Sequence, residues 1–245
     1  MRRESVAPLA IIQLQPPPER VRQQIGEQHQ WFIAALDLQP GDYQVCRPDL
    51  GEALPAPSSL SAAIICGSWA MVTDHDAWCD RMADWVRLAV STDLPLLGVC
   101  YGHQLMAWAL GGEVADNPNG WERGLQQILA LPPLASDPLL QRFPAQFSAW
   151  LSHRQSVITP PRQAQVLARS ALDGCQILRY SDRALSVQFH PEFTGEMMTA
   201  CLTHALPPGG VVSLMCHQEE PHWARELLLR FWQQVAVSPS RALAE

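Results

Sequence analysis

A cysteine lies at the centre of a short segment whose glycine spacing suits nucleophilic chemistry. An apolar run that starts at residue 96 ends in Gly98-Val99-Cys100-Tyr101-Gly102, and an amphipathic segment follows. This pattern predicts a buried strand, a very tight turn and a helix, with the thiol at the turn. Such a turn needs small residues two positions before and after the nucleophile, because the backbones there nearly touch. The thiol would then lie at a helix N-terminus, where the helix dipole favours the thiolate.

A second segment supplies a base and a group that could orient it. Alternating apolar residues from Leu185 to Phe189 predict a strand; His190 follows directly, and Pro191 stops the strand. In open α/β sheets the chemistry gathers at the strand ends, so we expect His190 to act near the thiol as general base and acid. Glu192 would accept a hydrogen bond from the other ring nitrogen, which fixes the tautomer and stabilises the imidazolium.

These two segments resemble the class I glutamine amidotransferases. Members of that family carry a G-[IV]-C-x-G-x-Q elbow and a Q-F-H-P-E segment, and both are present here in the family's order and at about its separation. The resemblance implies that Cys100, His190 and Glu192 form a catalytic triad in a stand-alone member similar to the glutaminase domain of GMP synthetase. It further implies that L-glutamine is hydrolysed through a γ-glutamyl thioester on Cys100, giving glutamate and ammonia for an acceptor on a separate protein.

The groups around the nucleophile fit the same chemistry. Acyl transfer needs donors for the developing oxyanion, and we expect them to be the backbone N–H groups of Tyr101 and Ser68. The family often has Gly-Gly-Pro at the second position, and some stand-alone members have Gly-Ser, as Gly67 and Ser68 are here. In the resembled family the residue at Gln104, one helical turn after Cys100, contacts the substrate glutamine, and Gly67 lies in the same substrate site.

Two further segments resemble substrate-binding parts of the family. The segment from Trp150 to Val157 is similar to W-x-S-H-G-D-x-V, in which backbone groups grip the glutamine α-amino and α-carboxylate groups, and this implies roles for Ser152 and His153. Arg154 replaces the family's glycine and could pair with a carboxylate, which leaves a γ-glutamyl peptide open as the donor.

The second of these segments runs from residue 120 to 124 and is similar to a G-x-E-x-G segment of the stand-alone members. This similarity implies that Glu122 binds the substrate amino group. A plain surface turn is the alternative interpretation of the same residues.

Two other functions remain open on these residues. A γ-glutamyl peptidase or hydrolase would use the same triad, and a non-catalytic binding or regulatory module could keep the fold. A metal site built from Cys100, His103 and His190 is disfavoured because the chain has no CxxC pair and no HExxH. The resemblance to the family likewise implies no metal and no organic cofactor.

Composition excludes several function classes. The 245 residues contain no lysine, so a P-loop lysine, a Schiff base and a Ser-Lys dyad are impossible, and the ammonia acceptor is expected to be a separate synthetase. A net charge of −7 gives no reason to expect nucleic acid. Seven scattered cysteines indicate reduced thiols, hence a cytoplasmic location. The short N-terminal apolar run predicts a strand rather than a signal peptide, and no membrane-spanning segment is apparent.

The element pattern predicts an α/β fold. Strands and helices alternate up to Gly112, which favours a mostly parallel, doubly wound sheet flanked by helices, flavodoxin-like and carrying the nucleophile elbow. One long helix is expected over 19–38 and another over 76–90. Short β-like runs after Gly112 predict an antiparallel patch, followed by helices at 194–204 and 220–237. We expect one domain, residues 1–237, and a flexible tail at 238–245.

Overall fold

The computed structural model of the chain describes residues 7–205 and 220–237. The predicted tail at 238–245 and most of the predicted connection between the last two helices lie outside the described residues.

Short, mostly buried strands form the centre of the described structure. Their bounds are β1 Leu9–Ile12, β2 Tyr43–Cys46, β3 Ala62–Ile65, β4 Leu96–Val99, β5 Glu113–Asp116, β6 Glu122–Ala130, β7 Gln146–His153, β8 Gln155–Thr159, β9 Gln165–Arg169, β10 Ile177–Arg179 and β11 Ala184–Val187. Strands β1, β3 and β4 are buried along their whole length, as expected for strands covered by helices on both faces.

Helices and short 3₁₀ turns connect the strands. The α-helices are α1 Glu19–Ile25, α2 Gln28–Leu36, α3 Cys79–Ser91, α4 Tyr101–Ala109, α5 Gly195–His204 and α6 His222–Val237. The 3₁₀ turns are Pro48–Leu50, Pro57–Ser59, Val72–Asp74 and Pro132–Ser136.

Within the described residues the main sheet has nine strands in the order β2-β1-β3-β4-β11-β10-β9-β6-β7. The strands from β2 to β11 pair in parallel, and those from β11 to β7 pair in antiparallel fashion. Strands β5 and β8 form a separate two-stranded sheet. One face of the main sheet packs against α2 and α6, and the other against α3 and α4. The predicted α/β sheet flanked by helices, with an antiparallel patch, is therefore confirmed.

The pairing of β4 with β11 positions the chemistry. These strands are parallel and adjacent, with Val99 in register with Val187, so their carboxyl ends lie side by side. Cys100 follows β4 directly, and its backbone N–H donates to the Val187 carbonyl at 2.9 Å. Residues far apart in the chain are thus brought to one edge of the sheet.

The predicted helix over 19–38 is wrong as a single element. Gly26 adopts φ 76°, a conformation that favours glycine, and ends α1. Helix α2 then begins with a capping box in which Glu27 and Gln30 each bond the other's backbone N–H. The apolar spacing continued across this break, which is why periodicity alone predicted one helix.

Candidate active site

Cys100 occupies a strained turn between β4 and α4. Its backbone has φ 52° and ψ −101°, values rare for a residue with a side chain. The Cys100 carbonyl accepts from the Gln104 N–H at 3.1 Å, so the helix begins at once. The Sγ atom lies 4.0 Å from the Ser152 carbonyl oxygen on β7. This is the geometry of a nucleophile elbow, with the thiol held out at the helix start.

His190 faces the thiol from the end of β11. Its Nδ1 lies 2.7 Å from Oε1 of Glu192, and the Cys100 sulfur is near enough to act on the charge of its ring. The backbone N–H of His190 donates to the Trp150 carbonyl at 2.8 Å, and the Phe193 ring stacks on the imidazole at 4.0 Å between centroids. Both the backbone and the ring plane of His190 are therefore fixed.

The charge of His190 follows from its two neighbours. Burial by itself lowers the pKa of His190, but the Glu192 carboxylate and the Cys100 sulfur outweigh burial and raise that pKa to about 10. With this raised pKa, His190 holds its proton at neutral pH. The sequence-predicted triad residues thus lie together, while their catalytic role stays a prediction.

A cavity of about 330 Å³ opens onto the thiol. Most of the sequence-predicted site residues line it: Gly67, Ser68, Cys100, Tyr101, Gln104, Ser152, His153, Arg154 and His190. The exceptions are Glu192, buried behind His190, and Glu122. Topology therefore brings nearly the whole predicted set to one place.

The two residues predicted to donate to the oxyanion, Ser68 and Tyr101, both line the cavity. Tyr101 is the first residue of α4, so its N–H has no acceptor within the helix. The Ser68 hydroxyl accepts from the Ala70 N–H at 3.1 Å and closes a tight turn. A Cβ placed on Gly67 would lie 3.0 Å from His190 Cε1 and 3.5 Å from Cys100 Cβ, so a side chain here would press on the His190 ring. The oxyanion role of Tyr101 and Ser68 stays a prediction.

Gln104 bridges two segments beneath the cavity. Its Nε2 donates to the Gln155 carbonyl at 2.7 Å and to Oε1 of Gln188 at 3.0 Å. Both amide hydrogens are consumed within the protein, which leaves Oε1 as the atom that could accept from a ligand.

Arg154 is paired with a nearby carboxylate. Arg154 lies 3.4 Å from Asp116 in a pair whose side chains are 46% and 60% exposed. Gln155, where the resembled family has aspartate, donates through Nε2 to the Thr73 hydroxyl at 2.7 Å and to Asp116 at 3.1 Å. An exposed guanidinium with a solvated partner stays available to a ligand carboxylate.

Glu122 lies behind the cavity instead of facing it. It is in register with His153 across β6 and β7, and Oε2 of Glu122 lies 3.0 Å from Nε2 of His153. Gln176 donates to the same oxygen at 2.9 Å. Direct contact between Glu122 and substrate stays a prediction; the geometry favours an indirect role in which Glu122 positions His153.

One group among the described residues has donor atoms near enough to hold a metal ion. Glu122, His153 and Asp173 place ligand atoms within 4.8 Å of one another, all buried. Oε2 of Glu122, however, already accepts hydrogen bonds from His153 and Gln176, and N–H donors directed at that oxygen would repel a cation. The contacts of this oxygen favour a hydrogen-bonded cluster.

His103 is directed away from the thiol. It is fully buried, and its Nδ1 lies 2.7 Å from the Ser186 hydroxyl. Burial lowers its pKa to about 3, so the ring stays neutral at ordinary pH. The metal site weighed for Cys100, His103 and His190 is incompatible with this placement, and His103 has a structural role.

Sequence reasoning missed the aromatic and cationic walls of the cavity. Trp31, Trp69 and Phe193 meet edge to face, with centroids 5.5 to 6.3 Å apart. At the mouth, the Arg123 guanidinium lies 4.0 Å from the Trp121 ring centroid. The sequence did hold a signal for these residues: Trp69 follows Ser68 directly, and Trp121 and Arg123 flank Glu122.

None of the helices within residues 7–205 and 220–237 combines the length and the apolar character needed to cross a lipid bilayer.

The chain is similar in sequence to several known proteins. One subunit of the glutamine-hydrolysing GMP synthase of Saccharolobus solfataricus is 42% identical over 102 residues, 40% of this chain and 51% of that protein. The chain spans 24% to 58% of the length of the GMP synthases and GMP synthase subunits it matches. Gamma-glutamyl peptidase 4 of Arabidopsis thaliana is 25% identical over 231 residues, 90% of each protein.

Solved structures agree on the fold. A crystal structure of a glutamine amidotransferase from Methylobacillus flagellatus matches with a TM-score of 0.73 and 22% identity, over 98% of this chain and 100% of that one. The family model for glutamine amidotransferase class-I matches residues 55–204, more than half of the chain and the span that holds the elbow and the His190 turn. The chain therefore belongs to the class I glutamine amidotransferase family.

Proposed function

We propose that this protein hydrolyses the side-chain amide of L-glutamine through a γ-glutamyl thioester on Cys100. The single observation that carries the proposal is the continuous arrangement of the Cys100 elbow, His190 and Glu192 at one sheet edge, open to a cavity. A strained cysteine facing an oriented imidazole is the constellation that nucleophilic acyl transfer requires.

The first half of the reaction forms the thioester. The Cys100 thiolate attacks the carboxamide carbon while His190 holds the proton as an imidazolium. The N–H groups of Tyr101 and Ser68 stabilise the oxyanion of the tetrahedral intermediate. That intermediate collapses when His190 gives its proton to the leaving nitrogen, so the C–N bond breaks and ammonia departs.

The second half regenerates the enzyme. His190, now neutral, takes a proton from water, and the hydroxide attacks the thioester carbon. The C–S bond breaks, glutamate leaves, and the Cys100 thiolate again faces the His190 imidazolium. Throughout, Glu192 keeps the ring oriented by accepting from Nδ1.

Labelling with a diazo-ketone analogue of glutamine tests this proposal. Intact mass and peptide mapping should show one adduct, on Cys100, which excess glutamine prevents and Cys100→Ala abolishes. The wild-type chain should also release glutamate and ammonia from glutamine. No adduct, together with rapid labelling of Cys100 by iodoacetamide, would overturn glutamine as the donor. Resistance to both reagents would favour a non-catalytic binding or regulatory module.

A second candidate substrate class is the γ-glutamyl peptides. It is supported by similarity to gamma-glutamyl peptidase 4 along nearly the whole chain, and by the tryptophans and exposed Arg123 and Arg154 around the cavity. The chemistry is identical except that an amine larger than ammonia leaves. Comparing kcat/KM for glutamine and for γ-glutamyl dipeptides in one assay decides between them; a dipeptide preference of tenfold or more, about 1.4 kcal/mol, would favour the peptidase.

Under the first proposal, a separate synthetase chain consumes the ammonia. The Saccharolobus solfataricus relative is itself named as one subunit of a GMP synthase, which supports a partner of this kind. The proposal predicts that the acceptor protein raises glutamine turnover by this chain. Dipeptide hydrolysis that needs no partner would support the second candidate instead.

A further inference from the structure

The turn that carries the Glu192 carboxylate is held by an arginine from outside the family match. Arg225 lies on α6, beyond residues 55–204, and its Nη2 donates to the Glu192 carbonyl at 2.9 Å. The same nitrogen lies 3.4 Å from the Phe193 carbonyl. Because Phe193 stacks on His190, this guanidinium touches both residues that flank the imidazole.

The Glu192 carboxylate needs positive charge near it. It is 1% exposed; Oε1 accepts from His190, whereas Oε2 has no hydrogen-bond partner among the described residues. A buried carboxylate is costly unless cations or donors compensate it. Besides His190, the Arg225 guanidinium is a cation whose charge acts on Glu192.

We propose that Arg225 is a positioning residue of the triad: it fixes the 190–193 turn and places a positive charge near the Glu192 carboxylate beside His190. The proposal rests on the proposed function, because it takes His190 to serve Cys100. Burial lowers the pKa of Arg225 while Glu192 and Glu220 oppose that effect, as expected for a guanidinium kept in place by acidic neighbours.

The same helix offers a matched control. Arg230 also ties α6 to the sheet side of the protein, with Nη1 donating to the Leu139 carbonyl at 3.1 Å and Nε to Glu226 at 2.8 Å. If Arg225 serves only to hold α6 in place, neutralising Arg225 or Arg230 should change kcat and the reactivity of Cys100 to the same extent.

Other titratable groups lie near Glu192 and Arg225, and none of them is substituted in the experiment described below. The Cys66 thiol, at the end of β3, and the Cys201 thiol, on α5, both face Glu192. Glu220 faces Arg225 and accepts from the Gly195 N–H at 2.8 Å. Burial raises the pKa of both thiols, so they stay neutral and add no charge over the range used here.

The experiment compares Arg225→Met, Arg225→Gln, Arg225→Lys and Arg230→Met in the full chain. For each, the rate of Cys100 alkylation by iodoacetamide is followed on its peptide from pH 5 to 10, alongside kcat and KM for glutamine. We expect Arg225→Met to lower kcat about tenfold with little change in KM. The acid limb of its alkylation profile should move about one pH unit upward, because the thiolate–imidazolium pair is less supported. Arg225→Lys, which keeps the charge, should recover most of both properties.

Several results would overturn the inference. One is an Arg225→Met profile that coincides with that of Arg230→Met at equal thermal stability. Should Arg225→Met fail to fold, Arg225→Gln and Arg225→Lys carry the test, and identical pH profiles for these two would count against a role for charge. If wild-type protein hydrolyses no glutamine, the proposed function fails, yet the alkylation profiles still decide the role of Arg225.

Discussion

Gly98 and Gly102 touch through their backbones: a Cβ added to Gly98 would lie 2.6 Å from the Gly102 carbonyl oxygen and equally close to Met106 Sδ. Gly102 in turn lies against the Ile65 backbone at the end of β3. The two glycines therefore let β4 and α4 pack closely enough to hold Cys100 at its positive φ. The geometry of the elbow therefore depends on Gly98 and Gly102 as well as on Cys100.

Gly98→Ala should destabilise the fold and slow the chemistry. The added methyl meets backbone, which cannot swing aside, so we expect a loss of about 1–3 kcal/mol in unfolding free energy. Because the elbow shifts with it, alkylation of Cys100 should slow as well. Urea denaturation and iodoacetamide kinetics measure the two effects.

The matched control for this change is Gly174→Ala. A Cβ at Gly174 meets no heavy atom within 4 Å, so stability should stay within about 0.5 kcal/mol of wild type. Equal stability of the two variants would contradict the close-contact argument.

The elbow and the His190 strand could be predicted because each is local: glycine spacing and apolar alternation report on backbone within ten residues. Other features depend on distant pairing. The sheet of β5 and β8 joins residues 113–116 to 155–159, and neither run is apolar enough to stand out alone. The burial of Glu122 follows from its register with His153, which the turn-like pattern around it conceals. Arg225 had no local signal, since its contact lies 33 positions away.

Glu192→Gln should lower the pH at which His190 loses its ring proton. In wild type the pKa of His190 is raised to about 10, so its ring should stay protonated from pH 5 to 9 in NMR spectra. Without the carboxylate, burial favours the neutral ring, and its signals should move to neutral positions within that range. The value of kcat should fall because the ring loses its orientation. Identical ring titrations for wild type and variant would contradict this assignment.

The interaction of His190 with Glu192 also predicts how the stability of the fold depends on pH. A folded-state pKa above the unfolded value near 6.5 means that His190 stabilises the native state fully below about pH 6.5. That contribution is lost as pH rises toward about 10. The difference in unfolding free energy between wild type and Glu192→Gln should therefore shrink between these limits. Chemical denaturation at pH 6, 8 and 10 measures it, and a difference that grew with pH would reverse the assigned sign.

Gln104→Leu should cost stability by removing two buried hydrogen bonds. Oε1 of Gln188 would lose its donor, and the Gln155 carbonyl would keep only its bond from His153, an effect of about 1–3 kcal/mol. KM for the donor should rise, since Gln104 lines the cavity and its amide group is removed. Gln127→Leu is the control: its Nε2 donates to the Ser148 hydroxyl at an exposed site, so both quantities should stay near wild type.

Glu122→Gln separates two roles for this carboxylate. Its partner His153 also bonds the Gln155 carbonyl through Nδ1 at 2.9 Å, so the Glu122 carboxylate helps to hold a ring that ties two segments together. Replacing the carboxylate with an amide weakens its buried contacts to His153 and Gln176, so unfolding free energy should fall by about 1–3 kcal/mol. Glu113→Gln, at an exposed strand end, should have little effect. If Glu122→Gln instead raised KM for glutamine about tenfold at unchanged stability, the carboxylate would contact the substrate amino group directly, as the sequence predicted.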